Sequence, residues 1–221
     1  MIHRKFLKCF LLTGILFLSY GCVTVFPKKE TTTKTLRLNL QAEDFQLKHP
    51  PLPTGILVVR PTTSPSLNSN RINITTAYSS SFVEDVQWSG RLPILLQELL
   101  LDAFLYSHGF HSVNKPGSGV NTRYAINTEI QAFNLMLQED LNQPKIDIEL
   151  VVQLIDIPRR HVIQKIILKE LAFSPTRKKK DIVMTFNKAT QTLLETLTQW
   201  TYQTIKKDQN KNLDAENPSP L

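Results

Sequence analysis

The chain has 221 residues, of which 41% are hydrophobic and 20% charged, and its formal net charge is +7. This length and hydrophobic content predict one domain with a sizeable core, and they exclude wholesale disorder and a polytopic membrane protein. Two cysteines are too few for a disulfide-scaffolded domain, and seven glycines exclude a Gly-rich repetitive chain.

The first 21 residues have the layout of an export signal, with basic residues before an uncharged run rich in Leu and Phe. The run ends in Leu-Ser-Tyr-Gly-Cys, which resembles a bacterial lipobox. In that class Cys22 receives the lipid and becomes the first residue after cleavage. The alternative is an uncleaved anchor that extends to Phe26. The Gly-Cys pair favours the lipobox, because a transmembrane helix has no need of it.

Cleavage before Cys22 also changes the charge and the cysteine count. It removes three basic residues and no acid, so Lys plus Arg falls from 26 to 23 against 19 acids, a net +4. It removes Cys9 as well, and lipidation of Cys22 then accounts for an unpaired cysteine in an exported protein. Residues 22–35, rich in Lys and Thr, predict a solvated tether.

The first half of the domain contains three predicted strands and a helix. The strands are Leu36–Leu40, Gly55–Arg60 and Arg71–Tyr78, from alternating or β-rich runs that turn residues bound. The next ten residues are a polar connection. A heavily apolar helix then spans roughly Leu92–Ser107, with Pro93 in its first turn and a glycine after its end.

The second half contains a meander and a final helix. Alternating apolar residues predict strands over Tyr124–Ala132, Ile146–Leu154 and Val162–Phe173, which short turns join into an antiparallel meander. The final helix is predicted over Ile182–Ile205 with Asp181 as its N-cap. The sequence thus predicts one α+β domain over residues 36–206, an antiparallel-rich mixed sheet with two main helices on one face. Residues 207–221 are predicted as a disordered tail.

Catalytic and metal-binding motifs do not emerge from the sequence. It has no phosphate-binding glycine loop, no G-x-S-x-G and no H-E-x-x-H. His108 and His111 flank a helix end, where histidine is favoured by the helix dipole. Glu139-Asp140 fits a turn, and Asp147 with Glu149 fits the exposed side of a strand. We therefore expect no enzyme activity, no cofactor and no metal.

Two groups of residues are candidates for binding a partner. Arg177, Lys178, Lys179 and Lys180 form one dense basic run, which could contact anionic headgroups or an acidic partner; a solvated loop is the favoured alternative. Phe82 and Trp88 stand in a polar connection and either anchor a partner or fold back onto the core, and core packing is favoured for Trp88. The basic run has no interleaved aromatics, which argues against nucleic acid.

The order of several features resembles the ABC-type transport auxiliary lipoprotein family, which includes the outer-membrane lipoprotein of the Pqi system. The likeness covers about residues 36–206 and includes the long C-terminal helix. The features are Val59-Arg60-Pro61, Pro65, Leu67, Arg71-Ile72, Tyr78, Phe82, Trp88, the Leu-rich helix and the segment Tyr124–Phe133.

This resemblance implies a non-enzymatic role beside an ABC transporter. Such proteins accompany a permease, an ATPase and a partner that carries an MCE domain, and these systems move lipids between the two membranes. The lipoprotein is expected to dock the periplasmic conduit at the outer membrane, as a possible homo-oligomer. Val23 agrees with outer-membrane sorting, and the inner membrane is the alternative. A lipid-binding shuttle and another envelope-assembly role remain alternative functions.

Overall fold

The computed structural model describes residues 33–76, 79–137 and 143–216. The predicted signal peptide, Cys22 and most of the predicted tether lie outside these residues, as do Tyr78 and Glu139-Asp140. The described part forms one α+β unit, a mixed sheet with two α-helices, as the sequence predicts.

The described residues form nine strands, two α-helices and a short 3-10 helix. The strands are β1 (Lys34–Leu36), β2 (Leu52–Val58), β3 (Thr62–Thr63), β4 (Arg71–Thr75), β5 (Ser80–Trp88), β6 (Phe110–Asn114), β7 (Tyr124–Met136), β8 (Lys145–Asp156) and β9 (His161–Phe173). The helices are α1 (Leu92–Tyr106) and α2 (Lys179–Glu216), with a short 3-10 helix at Ala42–Phe45.

Strand β7 organises the sheet because its 13 residues pair along both edges. On one edge β2, β3 and β4 pair with it in parallel, one after another. On the other edge β8 pairs with it antiparallel, and β9 pairs antiparallel with β8. This confirms the predicted meander. Strand β6 extends the sheet beyond β2, and β5 and β1 extend it beyond β4.

Both helices cover the same face of the sheet. Helix α1 packs on β2, α2 packs on β8 and β9, and the helices contact each other. Strand β8 shows why the helices lie on one face. Every second residue of β8 is apolar, these side chains all point to the same face, and helices on that face remove them from water. Its buried residues on the helix side are Ile146, Ile148, Leu150, Val152 and Leu154.

Helix α1 has nearly the predicted bounds. Pro93 occupies its first turn, where the missing backbone N–H breaks no helical hydrogen bond. Leu96, Leu100 and Phe104 are buried, which agrees with the apolar stripe expected of a helix in the core.

Helix α2 begins earlier than predicted, so Asp181 is not its N-cap. The helix starts at Lys179 and Asp181 lies in the first turn. The Thr176 hydroxyl donates to the Asp181 carboxylate and accepts a hydrogen bond from the backbone N–H of Lys178 at 3.0 Å. Thr176 thus satisfies a backbone donor at the helix start.

The predicted disordered tail is wrong for residues 207–216, which continue α2. Polar contacts across the domain account for this extension. The Tyr124 hydroxyl donates to Asp208 Oδ2 at 2.9 Å, and Arg159 Nη1 donates to Asn212 Oδ1 at 2.7 Å. Asn212 Nδ2 also donates to Asp208 Oδ2 one turn away, at 3.0 Å.

Strand β5 was not predicted, because its alternation is interrupted. Its pairing with β4 shifts between Arg71 opposite Gln87 and Asn73 opposite Phe82, so the intervening residues of β5 bulge. Asp85 lies in this bulge with a φ of 57°. A bulge changes which residues face the core, and the period of two that identifies a strand is lost.

The prediction of a strand over Leu36–Leu40 is wrong beyond Leu36, because β1 spans Lys34–Leu36 and so includes the last two residues of the predicted tether. The chain leaves the sheet after Leu36. It then runs beside α2, where its backbone N–H groups donate to side chains of the helix and not to a neighbouring strand. The backbone N–H of Asn39 donates to Asn187 Oδ1 at 3.1 Å, and that of Gln41 donates to Gln191 Oε1 at 3.2 Å. Neither helix of the described chain is both long and apolar enough to cross a bilayer.

Candidate docking surface

Trp88 belongs to the core, which corrects its place among the candidate partner-binding residues. Its side chain is 2% exposed. The ring packs edge-on against Phe133 and Phe186, with centroid distances of 5.9 and 5.2 Å. A side chain enclosed in this way offers no surface to a partner.

Phe82 is half-buried on β5, beside Arg71 of β4. The Arg71 guanidinium lies 4.0 Å from the centre of the Phe82 ring, within the range of a cation–π contact. The exposed face of this ring is therefore partly taken by a neighbour from the same chain.

The basic run is exposed and lies at the start of α2. Arg177, Lys178, Lys179 and Lys180 are all open to water. Lys179 Nζ donates to the backbone carbonyl of Glu84 at 3.0 Å, which brings the run beside β5. The structure thus makes three of these four charged side chains available without a described hydrogen bond or ion pair.

Strand β9 forms a long open edge of the sheet. Among the described residues only β8 pairs with it, over all of its length. Its side chains that point away from the helices include Ile167, 60% exposed, and Leu171, 43% exposed. Unpaired backbone groups beside exposed apolar side chains are the features by which a sheet edge accepts another strand.

A groove of about 470 Å³ runs along this edge, between the end of β9 and the first turns of α2. Glu170 and Ala172 line the strand side, and Met184, Lys188 and Thr192 line the helix side. We call the open edge of β9, with Ile167 and Leu171 on its outer face and this groove at its end, the edge groove. A strand that pairs with β9 would lie along this edge and reach α2 at the groove.

A second groove, of about 720 Å³, lies on the other side of α2. Its lining includes Asn39, Gln41, Asp44, Asn187 and Gln191, which are polar. Several of these side chains already bind one another, and Gln191 Nε2 donates to Asp44 Oδ2. This groove is the seam where the segment after β1 rests on the helix.

A buried polar cluster lies where β7 begins and β8 ends. Asp156 has a fully buried side chain, and its Oδ2 accepts from Arg123 Nε and Nη2 at 3.2 and 3.0 Å. Its Oδ1 accepts from the backbone N–H of Arg159 at 3.2 Å. Burial opposes ionisation, but these hydrogen bonds and the two guanidinium charges outweigh it, so the pKa of Asp156 lies below its ordinary value.

The same cluster fixes the end of α2. Burial and the hydrogen bond to Asp208 raise the pKa of Tyr124, so its hydroxyl stays protonated and donates. Each member of the cluster has a partner within it, and we interpret it as a clamp between sheet and helix, which we call the polar clamp. Sequence reasoning missed it because Tyr124 and Asp208 are 84 residues apart.

The remaining acidic and histidine candidates do not converge. Lys169 Nζ lies 2.9 Å from Glu149 Oε2 and 3.9 Å from Asp147 Oδ1, a cross-strand contact in which the lysine is half exposed and the two acids are half-buried. Within residues 33–76, 79–137 and 143–216, no three His, Cys, Asp or Glu side chains come together as metal ligands.

The fold itself has solved counterparts. Protein XCC0632 from Xanthomonas campestris, with the family designation DUF330, aligns with a TM-score of 0.74 at 17% identity, over 80% of this chain and 99% of that one. An uncharacterized protein aligns with a TM-score of 0.60 at 10% identity, over 77% and 99% of the two chains. At these identities the likeness shows a shared fold.

More distant structures align as well. Lipoprotein GNA1162 from Neisseria meningitidis aligns with a TM-score of 0.35 at 11% identity, over 70% of this chain and 99% of that one, too loose a likeness to support an inference. No protein-family model and no curated protein sequence matches the chain.

Proposed function

We propose that this protein is a non-enzymatic lipoprotein of the bacterial envelope, anchored through Cys22, that docks the periplasmic conduit of an MCE-linked ABC lipid transporter at the outer membrane. The observation that carries the docking role is the open edge of β9 with its edge groove. The lipobox supports the anchor, and the resemblance of residues 36–206 to transport auxiliary lipoproteins supports the choice of partner.

The chemistry of the edge groove fits a protein partner. A partner strand gains main-chain hydrogen bonds from β9, and it buries Ile167 and Leu171 against its own apolar side chains. Lysines at 165 and 169 alternate with these residues on the outer face, so an acidic or neutral strand fits better than a basic one. The partner is the MCE protein, or a second copy of this chain if the protein forms a homo-oligomer.

The test is capture of the transporter from native membranes. The full-length lipidated chain, with a C-terminal tag, should recover the MCE protein together with the permease and the ATPase. Ile167→Glu with Leu171→Glu places two acids on the outer face of the β9 edge without disturbing buried residues, and it should reduce recovery at least tenfold. Leu105→Glu with Leu213→Glu is the matched control, since these leucines are 59% and 63% exposed on the helices.

The outcomes separate the parts of the proposal. If the unaltered chain recovers no MCE or ABC component, the transport role is wrong. If it does, and the groove variant recovers as much as its control, the docking surface lies elsewhere. A Cys22→Ala arm tests the anchor, which is refuted if membrane attachment and processing both remain normal.

A further inference from the structure

One end of the sheet is defined by residues that lie opposite one another in register. They are Thr75, Ser80, Met136, Lys145 and Phe173, the ends of β4, β5, β7, β8 and β9. Strand β1 runs parallel to β5 and therefore away from this end, with Lys34 opposite Val86, beyond the β5 bulge. The described chain thus enters β1 from this side of the sheet, and we call this the tether end.

Exposed basic side chains gather at the tether end. Helix α2 starts six residues after Phe173, which places Arg177–Lys180 there. Lys179 Nζ donates to the carbonyl of Glu84 at 3.0 Å. Glu84 is two residues before Val86, the partner of Lys34, so the basic run and the first described strand are neighbours.

Acidic groups at the same place do not cancel this charge. Glu84 and Asp85 are exposed beside the run. Asp181 accepts a hydrogen bond from Thr176 within the first turn of α2. Five exposed cations, Lys34 and the four of the run, thus face four acids among the described residues of this surface, Glu84, Asp85, Glu170 and Asp181. The tether itself adds Lys28 and Lys29 against Glu30 by sequence.

Apolar side chains are exposed between these charges. Phe173 is 54% exposed at the end of β9, and Met184 is 58% exposed on the second turn of α2. Both line the edge groove next to Asp181. A surface that combines lysine or arginine with exposed apolar side chains is typical of proteins that rest on phospholipid headgroups.

We propose that the tether end lies on the headgroups of an anionic phospholipid bilayer, with Arg177, Lys178 and Lys180 in contact with lipid phosphates and Phe173 and Met184 at the interface. The proposal rests on the lipid anchor of the proposed function. From Cys22 to Lys34 is a span of at most about 40 Å when extended, so the anchor holds this surface within reach of the membrane. The second contact orients the domain instead of leaving it free on its tether.

The test uses the mature chain with Cys22→Ser, which carries no lipid, and flotation with vesicles of phosphatidylcholine alone or with about 30% phosphatidylglycerol. The protein should bind the anionic vesicles and not the neutral ones, and binding should fall steeply between about 0.05 M and about 0.5 M salt. Lys178→Glu with Lys180→Glu should weaken binding at least tenfold.

The matched control reverses the same number of charges at the other end of the same helix. Lys206→Glu with Lys207→Glu alters exposed lysines about 40 Å away along α2, and it should bind like the unaltered chain. All variants are checked for unchanged circular dichroism, since none of the four lysine side chains has a described hydrogen-bond partner.

Three results would overturn the proposal. The first is equal binding to neutral and anionic vesicles, and the second is equal loss in both double variants, which would reflect net charge alone. The third is unchanged vesicle binding by Lys178→Glu with Lys180→Glu while recovery of a protein partner from membranes falls, which would assign the basic run to an acidic protein. Vesicle binding needs no transporter, so failure of the transport role leaves this test intact.

Discussion

Asp156→Asn tests the polar clamp. The change keeps the shape of the side chain and its Oδ1 acceptor for the Arg159 N–H, but it replaces Oδ2 with an NH₂ group. That group would face Arg123 Nε and Nη2, which now donate to Oδ2 at 3.2 and 3.0 Å. Removing one partner of a buried ion pair costs about 3–5 kcal/mol.

The expected loss is smaller than that range because the two partners differ in burial. The Asp156 side chain is fully buried, whereas the Arg123 side chain is 36% exposed, so water can solvate part of the stranded guanidinium. We expect the free energy of unfolding to fall by about 2–3 kcal/mol. Urea unfolding measures this, with Glu149→Gln on the same strand as control, since its partner Lys169 is half exposed and the expected loss is below about 1 kcal/mol.

The pH dependence supplies a second check. The pKa of Asp156 is lowered by folding, so protons bind the unfolded chain more readily than the folded one. The contribution of the carboxylate is therefore complete above the unfolded pKa of about 3.9 and is lost as the pH falls through the lower folded pKa. The difference between the unaltered chain and Asp156→Asn should be constant near neutral pH and shrink below about pH 4. A loss no larger than the control, or a difference unchanged in acid, would refute the ionised clamp.

Two further predictions concern packing. Trp88→Ala empties the centre of the aromatic cluster and should lower the free energy of unfolding by about 3–5 kcal/mol, measured by urea titration; a loss under about 1 kcal/mol would contradict its burial. Asn187→Ala with Gln191→Ala removes the acceptors of the backbone N–H groups of Asn39 and Gln41, so hydrogen exchange at these two amides should accelerate with little change at β8; unchanged exchange there would show that the seam is held by other contacts.

The sequence predicts best where the local pattern and the final environment coincide. Strand β8 faces the helices on one side, so its alternation follows directly from the residues. Strand β5 departs from this rule because its bulge places Asp85 at positive φ and breaks the period. Helix α2 extends past its apolar stripe because Asp208 and Asn212 bind residues of the sheet, and no local pattern contains that information.

The candidate site was predicted only in its charged part. The basic run is a feature of four adjacent residues and is visible in the sequence. The edge groove is not, because it arises where the end of β9 meets α2, and the sequence does not say which strand ends the sheet. The signal available in the sequence was that the apolar residues Ile167 and Leu171 alternate with lysines in β9. Reading that signal requires knowing that β9 pairs with β8 alone among the strands of the described residues.

The described strands β1, β6 and β9, which end the sheet, differ in a way that bears on docking. Strands β1 and β6, at the other two edges, are three and five residues long, and short edge strands give little template for pairing. Strand β9 has 13 residues. The lysines at positions 165 and 169 on its outer face are the charges that oppose unwanted pairing with another strand. Lys169 is engaged by Glu149, which neutralises part of that protection. An edge this long, with Ile167 and Leu171 exposed, is an aggregation hazard for a protein that works alone. The same edge carries less risk of aggregation in a protein whose β9 is covered by a partner in an assembly. The exposure of β9 therefore favours a partner strand.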